Sequence, residues 1–263
     1  MYGFKRIKIL GIPVDAVTQD KAVEVVADFL HDKAGQKVFT PNPEMLVMAR
    51  DRPLFREALQ SSDLSIPDGA GLLWAARLLG KDLPTRVTGT DMVSRVCGLA
   101  AEDGYGIFML GGRPGVAEKA ADRLRAEFPG LRIVGAMSGG QVKYDEEGAP
   151  IMDYGTERAL NLAVPDILFV AFGHGKQEEW IHTHLQKFPS VRVALGVGGA
   201  FDFISGESKR APDFMQRIDL EWLWRLVLQP WRIGRILTAT VVFPLLVLGE
   251  RLGIVKTELK SLS

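Results

Sequence analysis

Asp68 is a carboxylate placed where an apolar segment gives way to glycines, in the stretch Ser65–Gly71. Pro67 is expected to end the preceding strand, and the glycines that follow permit a tight turn into an amphipathic helix. In open α/β sheets, ligands bind just outside the carboxyl ends of the strands, where a carboxylate can act as a general base. The same position suits the N-cap of the following helix. The stretch alone leaves both roles open for Asp68.

Polar and glycine-rich loops follow several other predicted strands and hold most of the unusual chemistry of the chain. Their distinctive residues are Thr40, Asn42, Asp68, Arg86, Gly111, Gly112, His174, Gln177, Gly199 and Asp202. The carboxyl ends of parallel strands meet at one edge of a sheet. These six loops therefore predict a single cleft.

Two glycine turns in this set are candidates for a nucleotide site. Gly111 and Gly112 precede a predicted helix, whose first amides and dipole could bind a phosphate. Because the G-x-G-x-x-G spacing is absent, a turn without a ligand is equally consistent with the pattern. The turn at Gly199 is similar and is followed by Asp202, which could accept hydrogen bonds from ribose or base. Each turn remains open between a structural and a nucleotide-binding role.

The composition argues against several classes of function. With 32 basic and 32 acidic residues among 263, no overall field indicates nucleic acid as a partner. His182 and His184 lie two apart on a predicted helix and form a poor metal pair, and no D-x-D motif occurs, so no metal site is expected. The sequence contains no G-x-S-x-G motif, so it gives no support for a hydrolase triad. A single cysteine, Cys97, and an N-terminus without a signal pattern predict a cytoplasmic protein.

The elements that must position these loops alternate between strand and helix. Apolar or β-branched runs predict strands at residues 7–12, 38–39, 63–66, 105–110, 131–136, 166–172 and 191–197. Amphipathic stretches between them predict helices, including one from Thr18 to about Asp32 and one that begins near Glu44. This alternation is typical of βαβ units. We predict an α/β fold over residues 1–206, with a Rossmann-like, mostly parallel sheet flanked by helices.

The remaining residues, 207–263, predict a helical, membrane-associating appendage that completes the cleft. Tryptophans and arginines, among them Trp222 and Arg232, precede the uncharged run 236–248, a pattern typical of segments in the membrane interface. As a helix the run would reach about 20 Å against a hydrocarbon core of about 30 Å, and Pro244 interrupts it. We therefore expect a segment that lies in the membrane surface without crossing it. A buried core helix or an oligomer contact is the alternative.

Short motifs in a fixed order over residues 7–236 carry a family resemblance. They are Thr40-x-Asn42-Pro43-Glu44, Pro67-Asp68-Gly69-x-Gly71, Arg86-Val87-x-Gly89-x-Asp91, Gly111-Gly112, Gln177-Glu178-x-Trp180, Gly198-Gly199-x-Phe201-Asp202, Arg210-Ala211-Pro212 and Leu220-Glu221-Trp222. Together they resemble the WecG/TagA/CpsF glycosyltransferases. The resemblance implies transfer of a sugar, typically N-acetylmannosamine, from UDP to N-acetylglucosamine on a polyprenyl diphosphate. It implies no cofactor, because the UDP-sugar is the donor substrate.

The resemblance also implies roles for individual residues. Asp68 would be the catalytic base, and Asp202 would hold the uridine. The other implied residues line the reaction site (Thr40, Asn42, Arg86, Gln177), the nucleotide site (Gly111, Gly112, Gln141, Gly199) and the acceptor diphosphate site (Arg225, Arg232, Arg235). Gln141 stands where the family often has an aromatic residue, and Gly175 stands where it usually has proline. The first departure leaves the contact to the uracil base open, and the second leaves the donor sugar open.

An inverting transfer is a single displacement at the anomeric carbon, which needs a base on the acceptor hydroxyl and cations on the departing UDP. Asp68 would supply the base and arginines the cations, without a metal. We expect a peripheral enzyme on the inner face of the cell membrane, with a homo-oligomer as a further possibility. A transferase for UDP-glucose or another UDP-hexose in exopolysaccharide assembly is an alternative. A non-catalytic membrane-associated nucleotide-sugar-binding module and a nucleotide-linked oxidoreductase are rivals of other classes.

Overall fold

A computed structural model of the chain describes residues 3–32, 35–212, 215 and 221–255. It begins with a hairpin, so the single strand predicted over residues 7–12 is wrong. Strand β1 (Arg6–Ile9) pairs antiparallel with β2 (Ile12–Asp15), and Leu10 and Gly11 form the turn with φ of 50° and 79°. Two successive positive φ angles are typical of a tight hairpin turn. Leucine rarely adopts this conformation, so the sequence signals the turn only through Gly11.

The other six described strands form one parallel sheet in the order β4-β3-β8-β7-β5-β6. They are β3 (Gln36–Phe39), β4 (Leu64–Ser65), β5 (Gly106–Gly111), β6 (Arg132–Met137), β7 (Ile167–Ala171) and β8 (Val193–Gly196). Every residue of β5, β7 and β8 is buried, as expected for parallel strands covered by helices on both faces. The predicted mostly parallel α/β fold is confirmed.

Helices cover the two faces of this sheet. Those of the core are α1 (Gln19–His31), α2 (Pro43–Met48), α3 (Pro53–Gln60), α4 (Ala70–Leu78), α5 (Gly89–Asp103), α6 (Val116–Glu127), α7 (Tyr154–Ala163), α8 (Lys176–His184) and α9 (Ala200–Ile204). Side chains alternate along β5, so Met109 joins one apolar cluster with α1, α5, α6 and α9, while Leu110 joins the cluster of α2, α3, α4, α7 and α8. One helix was predicted to begin near Glu44, where the structure has the two helices α2 and α3, and no helix was predicted at α9.

The last described residues form a chain of helical turns against the second face. They comprise α10 (Glu221–Leu228), a 3₁₀ turn (Pro230–Arg232), α11 (Ile233–Leu237), a π turn (Thr238–Val242) and α12 (Phe243–Arg251). We call the continuous helical stretch Pro230–Arg251 the appendage helix. Phe243 and Val247 are fully buried in the apolar cluster that also contains Leu110 and the core-facing residues of α2, α3, α4, α7 and α8. The backbone N–H of Leu10, in the β1–β2 turn, donates to the Glu250 carboxylate at 2.9 Å.

By length and composition, the appendage helix is the one described segment that could cross a membrane. Only 11% of its most apolar window is buried in the protein, so it is not an ordinary core helix. Its large exposed apolar side chains are Trp231, Ile233, Leu237, Val241, Val242, Leu245 and Leu248. The appendage helix thus combines an inner face docked on the core with a broad apolar outer face.

Candidate active site

Two adjoining cavities lie at the carboxyl ends of β3, β4 and β8. The larger has a volume of about 310 Å³ and the smaller of about 120 Å³. Asn42, Asp68 and Arg235 line both cavities and therefore stand where the two meet. The larger is also lined by Glu44, Arg86, Trp222, Arg232, Ile236, Ala239 and Thr240, and the smaller by Thr40, Thr88, His174, Gln177, Gly198 and Gly199. Five of the six loops predicted to form one cleft line these two cavities, whereas the Gly111–Gly112 turn lines neither.

Asp68 follows β4 by three residues and does not cap the next helix. The N-cap of α4 is Gly69, whose φ of 100° suits glycine. The Asp68 backbone N–H donates to the Pro41 carbonyl at 2.9 Å, which ties this turn to the loop after β3. A Cβ at Gly71 would lie 2.7 Å from Pro43 Cγ, so glycine permits the close approach of α4 to α2. Gly69, and not Asp68, is thus the residue that immediately precedes α4, and Asp68 lines the cleft.

Asn42 has a structural role as well as a place in the cleft. Its Oδ1 atom accepts a hydrogen bond from the Met45 backbone N–H at 3.0 Å and caps α2. Pro43 occupies the first helical position, where its missing N–H costs nothing. The cap uses one lone pair of this oxygen, so the second lone pair and the amide nitrogen remain for a ligand contact.

A buried chain of hydrogen bonds connects two loops through α8 beneath the smaller cavity. Gln177 Oε1 accepts from the Gly198 backbone N–H at 2.9 Å, and Gln177 Nε2 donates to Glu178 Oε1 at 2.8 Å. The Gly175 backbone N–H donates to Glu178 Oε2 at 2.6 Å. Glu178 is fully buried, and burial raises the pKa of its carboxyl group. This chain fixes the Gln177 amide at the cleft wall, and sequence reasoning gave Glu178 no role in it.

Arg235, on the appendage helix, forms an ion pair at the junction of the cavities. Its Nε lies 2.8 and 3.0 Å from the two carboxylate oxygens of Glu44, and its Nη2 lies 2.9 Å from His174 Nε2. Burial alone would raise the pKa of Glu44, but hydrogen bonds from His174 and Arg235 outweigh it and lower the pKa to about 2. Glu44 is therefore ionised at neutral pH, and the sequence had identified it only as a helix start and a motif position.

The other basic residues predicted for the cleft are Arg86, Arg225 and Arg232, and the structure describes the side chains of two of them. Arg86 and Arg232 line the larger cavity together with Arg235. The side chain of Arg225 lies outside the described part of the chain. Three cationic side chains therefore converge on one cavity, an arrangement suited to a diphosphate.

Comparison with known proteins agrees with this arrangement. Residues 7–256 match the family described as the glycosyl transferase WecG/TagA/CpsF family. The chain belongs to the WecG/TagA/CpsF glycosyltransferase family. It is therefore a glycosyltransferase, and the resemblance drawn from the short motifs is confirmed.

Curated relatives of this transferase carry a more specific name. A protein of Bacillus subtilis (strain 168) is 35% identical over 80% of the chain and 78% of its own length, and one of Bacillus spizizenii is 36% identical over the same shares. A protein of Staphylococcus aureus (strain MRSA252) is 29% identical over 88% of both chains. All three are named N-acetylglucosaminyldiphosphoundecaprenol N-acetyl-beta-D-mannosaminyltransferase.

The nucleotide-binding residues predicted for the transferase are less closely grouped. Gly199 lines the smaller cavity, whereas Gly111, Gly112, Gln141 and Asp202 line neither. A Cβ at Gly111 would lie 2.5 Å from the Ala171 carbonyl carbon, so strand packing alone requires glycine there. Asp202 lies 3.5 Å from Arg113 in an exposed ion pair, and Gln141 is exposed. Their nucleotide-binding roles stay predictions.

The histidines and acids of the transferase form no metal cluster among the described residues. His182 Nδ1 lies 2.9 Å from Ser61 Oγ, and His184 Nε2 lies 2.8 Å from the Pro150 carbonyl oxygen. Of the four histidines, His174 is the one that lines either of these two cavities, at the place where the sequence predicted the cleft. The prediction of metal-independent transfer stays a prediction.

Proposed function

We propose that this glycosyltransferase moves N-acetylmannosamine from UDP to N-acetylglucosamine carried on a polyprenyl diphosphate, with inversion and without a metal. Its products would serve cell-surface polysaccharide synthesis. The observation that supports this most is the placement of the Asp68 carboxylate where two chemically different cavities meet. The names of the curated relatives indicate the donor sugar and the acceptor.

The larger cavity suits an amphiphilic acceptor. Arg86 and Arg232 supply positive charge, and Ile236 and Ala239 of the appendage helix supply an apolar wall. Arginine binds phosphate oxygens in pairs, and an apolar wall suits an isoprenoid chain. We therefore assign this cavity to the lipid-linked acceptor, with its diphosphate beside the arginines.

The smaller cavity suits the donor sugar. Thr40 and Gln177 provide side-chain hydrogen-bonding groups, and the turn at Gly198 and Gly199 exposes backbone to the cavity. Such groups recognise sugar hydroxyl and acetamido substituents by hydrogen bonds. A UDP-sugar bound here would present its anomeric carbon toward Asp68.

The reaction follows from this placement. Asp68 accepts the proton of the acceptor hydroxyl while that oxygen forms a bond to the anomeric carbon. The bond between the anomeric carbon and the UDP oxygen breaks, and UDP leaves with the electron pair. Arg235, at the junction of the cavities, stabilises the negative charge that develops on the leaving phosphate. Attack opposite to the leaving group inverts the anomeric configuration.

A donor screen tests this proposal. Purified protein is incubated with UDP-N-acetylmannosamine, UDP-glucose and other UDP-hexoses, each with a polyprenyl-diphosphate-linked N-acetylglucosamine, and UDP release and product are measured. We expect the highest kcat/KM with UDP-N-acetylmannosamine, and the same rate in excess chelator. Higher kcat/KM with UDP-glucose would transfer the assignment to exopolysaccharide assembly. Binding of UDP-sugars without any release of UDP would favour a non-catalytic binding module, and restoration of chelator-lost activity by magnesium would contradict metal independence.

We also propose that the appendage helix lies in the surface of the membrane's cytoplasmic face. Its two ends are both fastened to the globular core, through Arg235 to Glu44 and through Glu250 to Leu10. A helix crossing the bilayer would have to break both contacts and expose Phe243 and Val247. Cys97 is buried and unpaired, as suits a reducing compartment.

Membrane binding can be tested on the outer face of this helix. Changing Leu237, Val241 and Leu245 together to glutamate should abolish flotation with anionic liposomes, because these exposed side chains would enter the interface. The matched control changes Tyr154 and Leu162, which are exposed on α7, to glutamate and should leave flotation intact. If the triple variant still floats but no longer self-associates in sedimentation, the outer face is an oligomer contact.

A further inference from the structure

Glu44 is a charged residue of the cleft to which neither the reaction nor the motifs assign a task. It lies in the first turn of α2, and its side chain is only 19% exposed. Both carboxylate oxygens accept from Arg235 Nε, and Oε1 also lies 3.3 Å from His174 Nε2. Glu44 thus joins α2, the loop before α8 and the appendage helix.

This contact uses only one edge of the Arg235 guanidinium. Nε faces Glu44 and Nη2 faces His174, whereas Nη1 donates to no residue in the described ranges. Arginine carries five N–H donors in a rigid fork, so fixing one edge fixes the direction of the others. A ligand at the junction of the cavities would meet an arginine that is already oriented.

The π turn of the appendage helix gives Arg235 the register that this contact needs. With 3.6 residues per turn, the twelve residues from Arg235 to Val247 would leave the two side chains about 120° apart around an ideal α-helix. A π turn closes on i+5 and so takes up one extra residue, which reduces the difference to about 20°. Arg235 can therefore enter the cleft while Phe243 and Val247 remain buried in the core.

We infer that Glu44 is a positioning residue that acts through Arg235, holding its guanidinium at the junction of the cavities to bind a diphosphate. The inference rests on the proposed function for the identity of that diphosphate, which is either the UDP of the donor or the isoprenoid diphosphate of the acceptor. It requires no contact between Glu44 and substrate. A carboxylate this close to a phosphate would repel it unless the arginine stood between them.

A merely structural role for Glu44 would be to anchor the appendage helix. The chain offers a matched control for that alternative, because Glu250 anchors the same helix at its other end through the Leu10 backbone. Glu250 lines neither cavity. Glu250→Ala therefore removes an anchor without changing the cleft.

The experiment is a double-mutant cycle on the full-length protein. Glu44→Ala, Arg235→Ala and the double variant are compared with wild type and Glu250→Ala for binding of UDP and of farnesyl diphosphate by calorimetry. Glu44→Gln, which keeps the size of the side chain, serves if the alanine variant does not fold, and Glu44→Asp tests rescue. Because these are binding measurements, they stand even if no sugar transfer is detected. The proposed function is judged separately by the donor screen.

We expect Glu44→Ala and Arg235→Ala each to weaken binding of one of the two diphosphates about 10- to 100-fold, as for loss of a charge-assisted hydrogen bond. The double variant should bind no more weakly than Arg235→Ala, since Glu44 acts only through that arginine. Glu44→Asp should recover part of the affinity, and Glu250→Ala should bind like wild type. The inference is overturned if the losses add, if neither diphosphate responds, or if Glu250→Ala loses as much affinity.

Discussion

The cleft has two walls that are built in different ways. We call the one that includes Gln177 and Glu178 the core wall, and the one that includes Trp222 and Arg235 the appendage wall. On the core wall, Gln177 and Glu178 are 2% and 0% exposed and are fixed by hydrogen bonds to the backbone of two loops. On the appendage wall, Trp222 is 43% exposed and the side chain of Arg235 is 41% exposed. The groups proposed to face the donor are therefore held rigidly, whereas those proposed to face the acceptor depend on how a largely exposed helix docks.

This difference has a physical consequence for catalysis. Groups locked by buried hydrogen bonds cost no reorganisation at the moment of reaction, which favours placing the base and the donor contacts on the core. A helix with few buried apolar contacts opens locally at low free energy. Under the proposed function, local opening of this helix would let the lipid-linked acceptor enter from the appendage side without disturbing the core wall.

The largest effect is expected at the junction itself. Asp68→Asn should lower turnover by roughly 10²-fold or more, the loss typical of removing a positioned base, and should leave UDP binding unchanged. Transfer kinetics and UDP titration measure the two quantities. Asp153→Asn is the control, because Asp153 caps α7 away from the cleft and asparagine caps equally well. Near-normal turnover by folded Asp68→Asn protein would remove Asp68 from the proposed mechanism.

The core wall was largely predictable because local chemistry determines it. The alternation of strands and helices predicted the parallel sheet, and strand ends predicted that Thr40, Asn42, Asp68 and Gln177 would meet. Asp68 itself was ambiguous between base and cap because both suit a strand-to-helix turn. Only the start of α4 at Ala70, which makes Gly69 and not Asp68 the cap position, separates the two.

The contacts of the appendage wall could not be predicted from local pattern. Glu44 and Arg235 are 191 residues apart, and no periodicity connects them. The apolar run 236–248 gave no sign of the π turn, which depends on the competing demands of the cleft and the core on one helix. The hairpin at Leu10 was not predicted for a related reason. Leucine rarely adopts the positive φ of this turn, and the turn contacts Glu250, which lies 240 residues away in the sequence.

The rigidity of the core wall can be broken at Glu178. The hydrogen-bond chain through Glu178 and Gln177 begins and ends at a backbone N–H donor, at Gly175 and at Gly198. A glutamine at 178 adds an NH₂ group, so whichever way the two amides are turned, one N–H group must face another. Glu178→Gln should therefore lower the free energy of unfolding by about 1–3 kcal/mol, the cost of an unsatisfied buried group. It should also raise KM for the UDP-sugar. Denaturant unfolding and transfer kinetics measure the two effects.

The neighbouring carboxylate provides the control for this variant. Glu179 is also buried, but its Oε2 accepts from Arg52 and Tyr144, away from both cavities. Glu179→Gln should lose stability without changing KM. Equal changes of KM in the two variants would mean that general loosening of α8, and not the Gln177 amide, weakens donor binding.

The stability of the contact between the appendage helix and the core should decrease at acid pH, because Glu44 becomes protonated there. The pKa of Glu44 falls from 4.5 to about 2 on folding, because hydrogen bonds from His174 and Arg235 outweigh the cost of burial. A carboxyl group with a lowered pKa contributes stability that is fully present above its unfolded pKa and is lost as the pH falls through the folded value. The contribution of Glu44 should therefore fade between pH 4.5 and 2.

Pepsin cleavage within the appendage, followed by gel electrophoresis, can measure this smaller effect in its own pH range. Glu44→Gln should be cleaved a few-fold faster than wild type near pH 4.5, because its neutral side chain pairs weakly with Arg235. The ratio of the two rates should approach one as the pH nears 2, where the wild-type carboxyl also becomes protonated. Persistence of the core fragment shows that only the appendage has opened. A ratio that stays constant with pH would mean that the Glu44–Arg235 pair does not hold the appendage wall in place.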